Sequence, residues 1–116
     1  MNAFDILGDP VRRRILELLA ENERRSGDIV EIIQQEFGIT QAAVSQHLRV
    51  LRDNGFANVK ADKQRRIYSL DAKLLREVDV WLDRFRAFWE PKLSALDTEI
   101  ARGKKKRTME ANEEEA

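Results

Sequence analysis

The sequence predicts a mainly helical protein with one small β-hairpin, and three features of the chain support this. Apolar residues recur at helical spacing over most of the chain, the stretch from Ala57 to Leu70 alternates as strands do, and the last helical pattern is unusually long. A chain of 116 residues is expected to form one small domain over residues 1–102, followed by a charged tail over residues 103–116.

Capping residues, glycine and proline delimit the first two predicted helices. A short helix from Asn2 to Leu7 ends at Gly8, and Asp9 is the expected N-cap of the second helix. Pro10 suits the first position of that helix because its missing N–H would have no partner there. The second helix runs to about Glu21 and places these apolar residues on one face: Val11, Ile15, Leu18 and Leu19.

The next two predicted helices are separated by a short turn that contains glycine. Ser26 is the expected cap of the third helix, which ends near Phe37 and Gly38 with Ile29, Ile32 and Ile33 facing inward. Thr40 caps the fourth helix, which runs to Asp53 and has one apolar stripe formed by Val44, Leu48 and Leu51. A helix, a short turn and a second helix are what a helix-turn-helix requires.

The other side of the fourth helix suits contact with bases. It carries small, amide and basic residues: Gln41, Ala42, Ser45, Gln46, Arg49 and Arg52. Small side chains let a helix enter the major groove closely, where glutamine pairs with adenine and arginine with guanine. The pattern predicts a helix that recognises DNA.

After Asn54 and Gly55 the periodicity changes to that of strands. The segments 57–61 and 65–70 flank a polar turn at 62–64, with Val59, Ile67 and Leu70 as predicted inward positions and Arg66 and Tyr68 at alternating ones. The basic tip has the composition of a wing that contacts phosphate or the minor groove: Lys63, Arg65 and Arg66. A solvated charged turn is the alternative. With the preceding helices, the hairpin predicts a winged helix-turn-helix, in the order α1-α2-α3-α4-β1-β2-α5.

The last predicted helix starts at the capping residue Asp71 and runs to about Arg102. An apolar stripe follows it through Leu74, Val78, Trp81, Phe85 and Phe88, and continues one residue displaced through Trp89, Leu93, Leu96 and Ile100. About thirty helical residues span roughly 45 Å, more than one small domain covers. Much of the stripe is therefore expected to be buried against a second copy, with a kink or a new helix at Pro91.

The net charge is zero, but the charges are unevenly distributed. Residues 40–70 contain six basic and two acidic side chains, a net charge of +4, whereas residues 15–39 contain two basic and six acidic ones, a net charge of −4. Local charge decides which surface meets phosphate. The distribution is compatible with DNA binding through residues 40–70.

Several classes of protein and site are not expected. The chain has no cysteine, which excludes disulfides and thiolate metal sites, and it shows neither a long apolar run nor an export signal, so we expect a cytoplasmic protein. The carboxylates of the last helix are interpreted as its solvated face, since no nucleophile and base accompany them and the glycines are scattered. The chain is not expected to be an enzyme.

The tail changes from basic to acidic, with Lys104 to Arg107 followed by Glu110 and by Glu113 to Glu115. Because it has almost no apolar residues, it is expected to be disordered or a frayed extension of the helix. A solubilising role, added phosphate contacts from the basic run, and competition with DNA by the acidic end are the alternatives considered.

Four motifs at these spacings resemble the ArsR family of winged-helix transcriptional repressors over residues 2 to about 100. They are Gly-Asp-Pro-Val-Arg-Arg-Arg-Ile-Leu-Glu-Leu-Leu (8–19), Ser-Gly-Asp-Ile-Val (26–30), Gln-Ala-Ala-Val-Ser-Gln-His-Leu-Arg-Val-Leu (41–51) and Arg-Arg-Ile-Tyr-Ser-Leu (65–70). Trp81 and the segment 83–89 further look like the metal-independent, SdpR-like branch. The resemblance implies a homodimer joined through its first and last helices, which binds a palindromic operator and blocks transcription, often of its own operon.

The resemblance also implies roles for individual residues. Candidate DNA contacts are Thr40, Gln41, Ser45, Gln46, His47 and Arg49, with Lys63, Arg65 and Arg66 from the wing. Candidate dimer contacts are Phe4, Leu7, Val78, Trp81, Phe85, Phe88 and Trp89. For His47, the sole histidine, a structural hydrogen bond or a place near DNA is favoured over metal ligation.

The chain departs from the metal-sensing members of that family. Those members carry cysteine pairs in the third helix or sets of histidine and carboxylate near the dimer interface, whereas here residues 28–33 read Asp-Ile-Val-Glu-Ile-Ile and the last helix has no histidine. No metal or other cofactor is expected, and no effector is identified. A winged-helix module that binds another protein through its aromatic last helix is the alternative function.

Overall fold

The computed structural model describes residues 1–90 and divides into two compact units, Met1–Asp79 and a second that begins at Val80. The predicted continuation of the last helix to Arg102, the effect of Pro91 and the tail over residues 103–116 lie outside the described residues. The boundary predicted between residues 102 and 103 therefore stays a prediction.

Four helices build most of the first unit: α1 (Ala3–Leu7), α2 (Pro10–Glu21), α3 (Ser26–Phe37) and α4 (Gln41–Asp53). The Asp9 carboxylate caps α2, since its Oδ1 accepts hydrogen bonds from the backbone N–H groups of Val11 (2.8 Å) and Arg12 (3.2 Å). The prediction that Ser26 caps α3 is wrong. The N-cap is Arg25, without a side-chain bond, and Ser26 is the first helical residue.

The cap falls on Arg25 because the chain is still extended there. Arg24–Arg25 form a short strand, β1, which pairs antiparallel with β3 (Arg65–Leu70), and β3 pairs in turn with β2 (Ala57–Asp62), giving the order β1-β3-β2. The predicted hairpin is confirmed. The sequence did not predict β1, since two charged residues are too few to show the alternation typical of a strand.

The register of the hairpin corrects one prediction about its faces. Tyr68 lies opposite Val59 and is buried, on the same side of the sheet as Leu70, whereas Ile67 lies opposite Lys60 on the other side and is half-buried. Side chains alternate along a strand, so residues 67 and 70 cannot share a face. Tyr68 therefore takes the inward position that was predicted for Ile67.

The core lies among the helices and one side of the sheet. The predicted inward residues of α2 and α4 are buried, as are Ile29 and Ile33 of α3, while Ile32 is half-buried. Phe56, between α4 and β2, is the largest fully buried side chain. Its backbone N–H donates to the Leu51 carbonyl (2.9 Å) and its carbonyl accepts from the Asp71 N–H (3.0 Å). Gly55, with φ of 84°, allows the turn into this position.

The last helix is shorter than predicted. Helix α5 (Lys73–Leu82) is followed by a 3₁₀ turn (Asp83–Phe85) and by α6 (Arg86–Trp89), after which Glu90 is extended. The change from a single helix to a tighter turn begins at Asp83, before the proline where a kink was predicted. Glu90 leaves the helical conformation because the residue before a proline is disfavoured in it.

No helix within residues 1–90 has the length and apolar character needed to cross a membrane.

An ion pair joins α2 to α3. The Arg14 guanidinium donates to both carboxylate oxygens of Glu36, from Nε at 2.8 Å and from Nη2 at 3.1 Å, and it also reaches Glu17 at 3.3 Å. The hydrogen bond and the opposite charge lower the pKa of Glu36 below its ordinary value, and the same interactions raise that of Arg14. The bidentate ion pair links the two helices at the protein surface.

Replacing Glu36 with glutamine is expected to lower the free energy of unfolding at neutral pH. A carboxyl group whose pKa is depressed by folding stabilises the native state above its unfolded pKa, and this contribution disappears as the pH falls through the folded pKa. Urea unfolding of wild type and Glu36→Gln should therefore differ at pH 7 and converge in acid. Glu31→Gln, the same change on an exposed side chain of α3, is the control. If Glu36→Gln lowered the free energy of unfolding by the same amount at pH 7 and in acid, the stabilising role of the ion pair would be contradicted.

Candidate nucleic-acid interface

The turn between α3 and α4 sets the position of the recognition helix, α4. Gly38 is left-handed at φ of 68°, and its N–H donates to the Gln34 carbonyl at 2.9 Å. Thr40 caps α4, as predicted, because its Oγ1 accepts from the Ala43 N–H at 3.0 Å. The Thr40 hydroxyl keeps its proton available for donation.

The outward side of α4 presents the predicted polar side chains. Gln41, Gln46 and Arg49 are exposed and Ser45 is half-buried, with Gln46 and Arg49 on the side away from the buried stripe and Gln41 at the N-terminal end of the helix. Arg49 Nη1 donates to Gln46 Oε1 at 3.0 Å, which holds these two side chains as a pair. The Gln46 amide donors and the remaining Arg49 donors stay available to bases or phosphates.

An open groove runs between α3 and the start of α4. Its walls are Ser26, Gly27, Val30, Glu31, Gln34 and Gln35 on α3 and Gln41 and Ser45 on α4. The sequence pattern did not indicate this groove, because its two walls come from two different helices and a periodicity describes only one helix at a time.

His47 lies apart from the outward side chains of α4. It is half-buried, and its Nδ1 is 3.4 Å from Nη1 of Arg12 on α2. Successive residues of a helix are rotated by about 100°, which places His47 on a flank of α4 beside Gln46. Arg12 is a candidate partner for the structural hydrogen bond that was predicted for His47. The periodicity of α2 and α4 gave no signal for this contact, since it joins residues 35 positions apart.

The wing has an unusual backbone at its tip. A two-residue loop, Lys63 and Gln64, joins β2 to β3, and Lys63 has φ of 61°. A positive φ at the first loop position is typical of a type II′ turn, which favours glycine there. A side chain in the left-handed region costs about 1 kcal/mol, so the loop keeps a lysine where glycine would be less strained.

The three basic residues of the wing are exposed but do not share one face. Arg65 and Arg66 are neighbours on β3 and point to opposite sides of the sheet, with Arg65 lining a hollow beside Arg25 and Asp28. Within residues 1–90, the side chains of Lys63, Arg65 and Arg66 form no ion pair or hydrogen bond. These cations are therefore available to phosphate.

The predicted dimer contacts differ in exposure. Exposed fractions are 49% for Phe4, 40% for Trp81, 37% for Phe85, 84% for Phe88 and 51% for Trp89, while Leu7 and Val78 are half-buried. The rings of Trp81 and Phe85 pack with their centroids 4.8 Å apart. Side chains this large and apolar, exposed on a single chain, are typical of a surface that contacts another protein.

No cluster of three or more histidine, cysteine or carboxylate side chains that could hold a metal ion occurs in the part of the chain that the structure describes.

Comparisons with known proteins place this arrangement in a family. Residues 9–59 match the family model described as bacterial regulatory protein, arsR family. The transcriptional repressor SdpR of Bacillus subtilis (strain 168) is 32% identical over 84 residues, which cover 72% of this chain and 89% of SdpR. HTH-type transcriptional regulator Rv2034 of Mycobacterium tuberculosis (strain ATCC 25618 / H37Rv) is 34% identical, with coverage of 72% and 74% respectively.

Solved structures show the same fold. A possible transcriptional regulator for arsenical resistance superposes with a TM-score of 0.62 at 27% identity, covering 88% of this chain and 96% of that one. The homodimeric winged helix-turn-helix DNA-binding domain of Mb0332 from Mycobacterium bovis gives a TM-score of 0.53 at 24% identity, covering 77% and 82%. The predicted winged helix-turn-helix is confirmed, and the relatives are regulators rather than enzymes. The chain belongs to the ArsR family of bacterial regulatory proteins and is a DNA-binding transcriptional regulator.

Proposed function

We propose that the protein is a homodimeric transcriptional repressor that binds an inverted-repeat operator through α4 and the β2–β3 wing. The observation that carries this proposal is the polar side of α4, where the paired side chains of Gln46 and Arg49 are exposed on a helix whose other side is buried. SdpR, a relative over most of its length, is a transcriptional repressor. Since its ligand is chromosomal DNA, the protein acts in the cytoplasm.

Contacts to bases are assigned to the outward side of α4. Gln41, Ser45, Gln46 and Arg49 face bases or nearby phosphates, with the arginine fork matching the O6 and N7 atoms of guanine. The Thr40 hydroxyl donates to a phosphate oxygen. The positive N-terminal end of α4 also favours the negative charge of the phosphate at this position. His47 supports α4 from its flank.

Contacts to phosphate are assigned to the wing. Lys63, Arg65 and Arg66 lack partners within the described residues, so their charges are not neutralised before DNA binds. The strained backbone of Lys63 supports this role, because a residue kept in a costly conformation is a reason to look for function. Opposite orientations of Arg65 and Arg66 let the wing reach two phosphate positions.

The aromatic surface of α5 and α6 and the exposed Phe4 of α1 are assigned to the contact between two subunits. The Mb0332 domain, which shares the fold, is a homodimer. A two-fold dimer presents two copies of α4 to successive major grooves, so the operator half-sites lie roughly 34 Å apart. Repression of the protein's own operon is the regulatory circuit that we infer from the family.

Arg49→Ala is expected to weaken binding to the operator by about 10- to 100-fold without lowering the melting temperature, because a bidentate contact to guanine contributes about 1–3 kcal/mol. In vitro selection from random duplexes supplies the operator, and fluorescence anisotropy measures the affinity. The control is Arg76→Ala, which removes an exposed arginine from α5.

Equal binding by Arg49→Ala and wild type would show that the base contacts are assigned to the wrong residue. Failure of the selection to enrich any sequence would favour the alternative, a winged-helix module that binds another protein.

Lys63→Ala is expected to weaken binding to the operator and to unrelated duplexes by similar factors. Its slope of log affinity against log salt should be smaller by about 1, since one phosphate contact is lost. Alanine carries a Cβ as lysine does, so the strain at positive φ stays and only the charge is removed. A loss confined to the operator would instead mean that Lys63 reads a base.

Phe88→Asp is expected to raise the dimer dissociation constant by about two orders of magnitude, because a buried, unpaired carboxylate is costly. Phe88 is 84% exposed in the single chain, so the folded monomer loses little packing. Sedimentation velocity measures the effect, with Val80→Asp as the control at a side chain that is 66% exposed and lies outside the apolar stripe. A Phe88→Asp protein that stays dimeric would exclude this residue from the interface.

A further inference from the structure

Arg12 connects three elements of the first unit. It lies on α2, and its Nε donates to the Ile6 carbonyl (3.0 Å) while its Nη2 donates to the Asp5 carbonyl (3.0 Å). These carbonyls belong to the last turn of α1, where helical carbonyls lack partners within the helix. The third contact, from Nη1, reaches Nδ1 of His47 on the recognition helix at 3.4 Å.

The chemistry of the two side chains fixes the direction of this contact. A guanidinium has N–H donors and no acceptor, so a hydrogen bond between these two atoms requires Nδ1 of His47 to accept and the ring proton to lie on Nε2.

The contact gives α4 a directional restraint that its apolar side cannot supply. Val44, Leu48 and Leu51 hold the helix by burial, and burial is not directional. His47 is adjacent to Gln46, which bonds to Arg49 on the outward side. A small rotation of α4 moves those two side chains together, and a base contact loses its geometry over about 1 Å.

We propose that Arg12 is a positioning residue for operator recognition, which fixes the rotation of α4 by donating to His47. This inference rests on the proposed binding of a specific operator. It gives α2 a role in sequence recognition that acts through α4 and not through a base contact made by α2 itself.

The test compares affinity for the selected operator with affinity for a scrambled duplex of the same length. Arg12→Gln is expected to lower the ratio of the two affinities about tenfold, the effect of one hydrogen bond to a charged group. A change of overall charge affects both duplexes alike and cancels in the ratio. Arg13→Gln is the matched control, because Arg13 donates only to the Leu7 carbonyl (2.6 Å) and does not reach α4.

Variants of His47 separate this role from the bonds that Arg12 makes to α1. His47→Leu keeps those bonds and is expected to lower the ratio about tenfold, and the double variant with Arg12→Gln should fall no further. His47→Asn places an acceptor oxygen near the position of Nδ1 and is expected to restore the ratio to within about threefold. Additive losses, or ratios equal to that of wild type in both single variants, would overturn the proposal.

A measurement without DNA tests the contact itself. The ¹⁵N chemical shifts of the His47 ring at pH 8 should show the proton on Nε2 in wild type, and a change of tautomer population in Arg12→Gln. A proton on Nδ1 in wild type overturns the contact. If the selection enriches no operator, the proposed function and the positioning role are both rejected. If an operator is enriched but the Arg12 and His47 variants keep the wild-type ratio of affinities, only the positioning role is rejected.

Discussion

Burial of Phe56 is the constraint on which the relative placement of the recognition helix and the wing depends. Its ring is fully enclosed, and its backbone is bonded on one side to Leu51 of α4 and on the other to Asp71, directly after β3. Both ends of the hairpin therefore meet at one buried residue. The end of α4 and the base of the wing cannot shift independently without breaking a buried backbone hydrogen bond, so one rigid unit carries both sets of predicted DNA contacts.

The arginines of the first unit divide into two groups by their partners. Arg13, Arg14 and Arg24 donate to carbonyls or carboxylates of neighbouring turns and helices, and thereby join secondary structure elements. Arg65 and Arg66 have no such partner within the described residues. Composition alone counts these side chains as equal, yet Arg14 and Arg24 are paired with carboxylates, whereas Arg65 and Arg66 have no carboxylate partner within residues 1–90. The local charge of the wing is therefore positive although the chain has no net charge.

Local signals in the sequence predicted most of the fold. Apolar spacing and caps such as Asp9 and Thr40 defined α1 to α4, because those features depend on residues close together in the chain. The predictions that failed depend on contacts distant in sequence or on small changes of period. Strand β1 exists only through pairing with β3, and the 3₁₀ turn at Asp83–Phe85 keeps nearly the same apolar spacing as a continuous helix. The outward residues of α4 were predictable, whereas the link from Arg12 to His47 required the packed structure.

The left-handed conformation of Lys63 has a consequence for how this protein can evolve. Glycine or asparagine would adopt that backbone with less strain, but either would remove a positive charge from the tip of the wing. If Lys63 contacts phosphate as we propose, selection for a more stable fold and selection for tighter DNA binding act in opposite directions at this position. Related sequences that differ there would trade one property for the other by a single codon change, without any rearrangement of the domain.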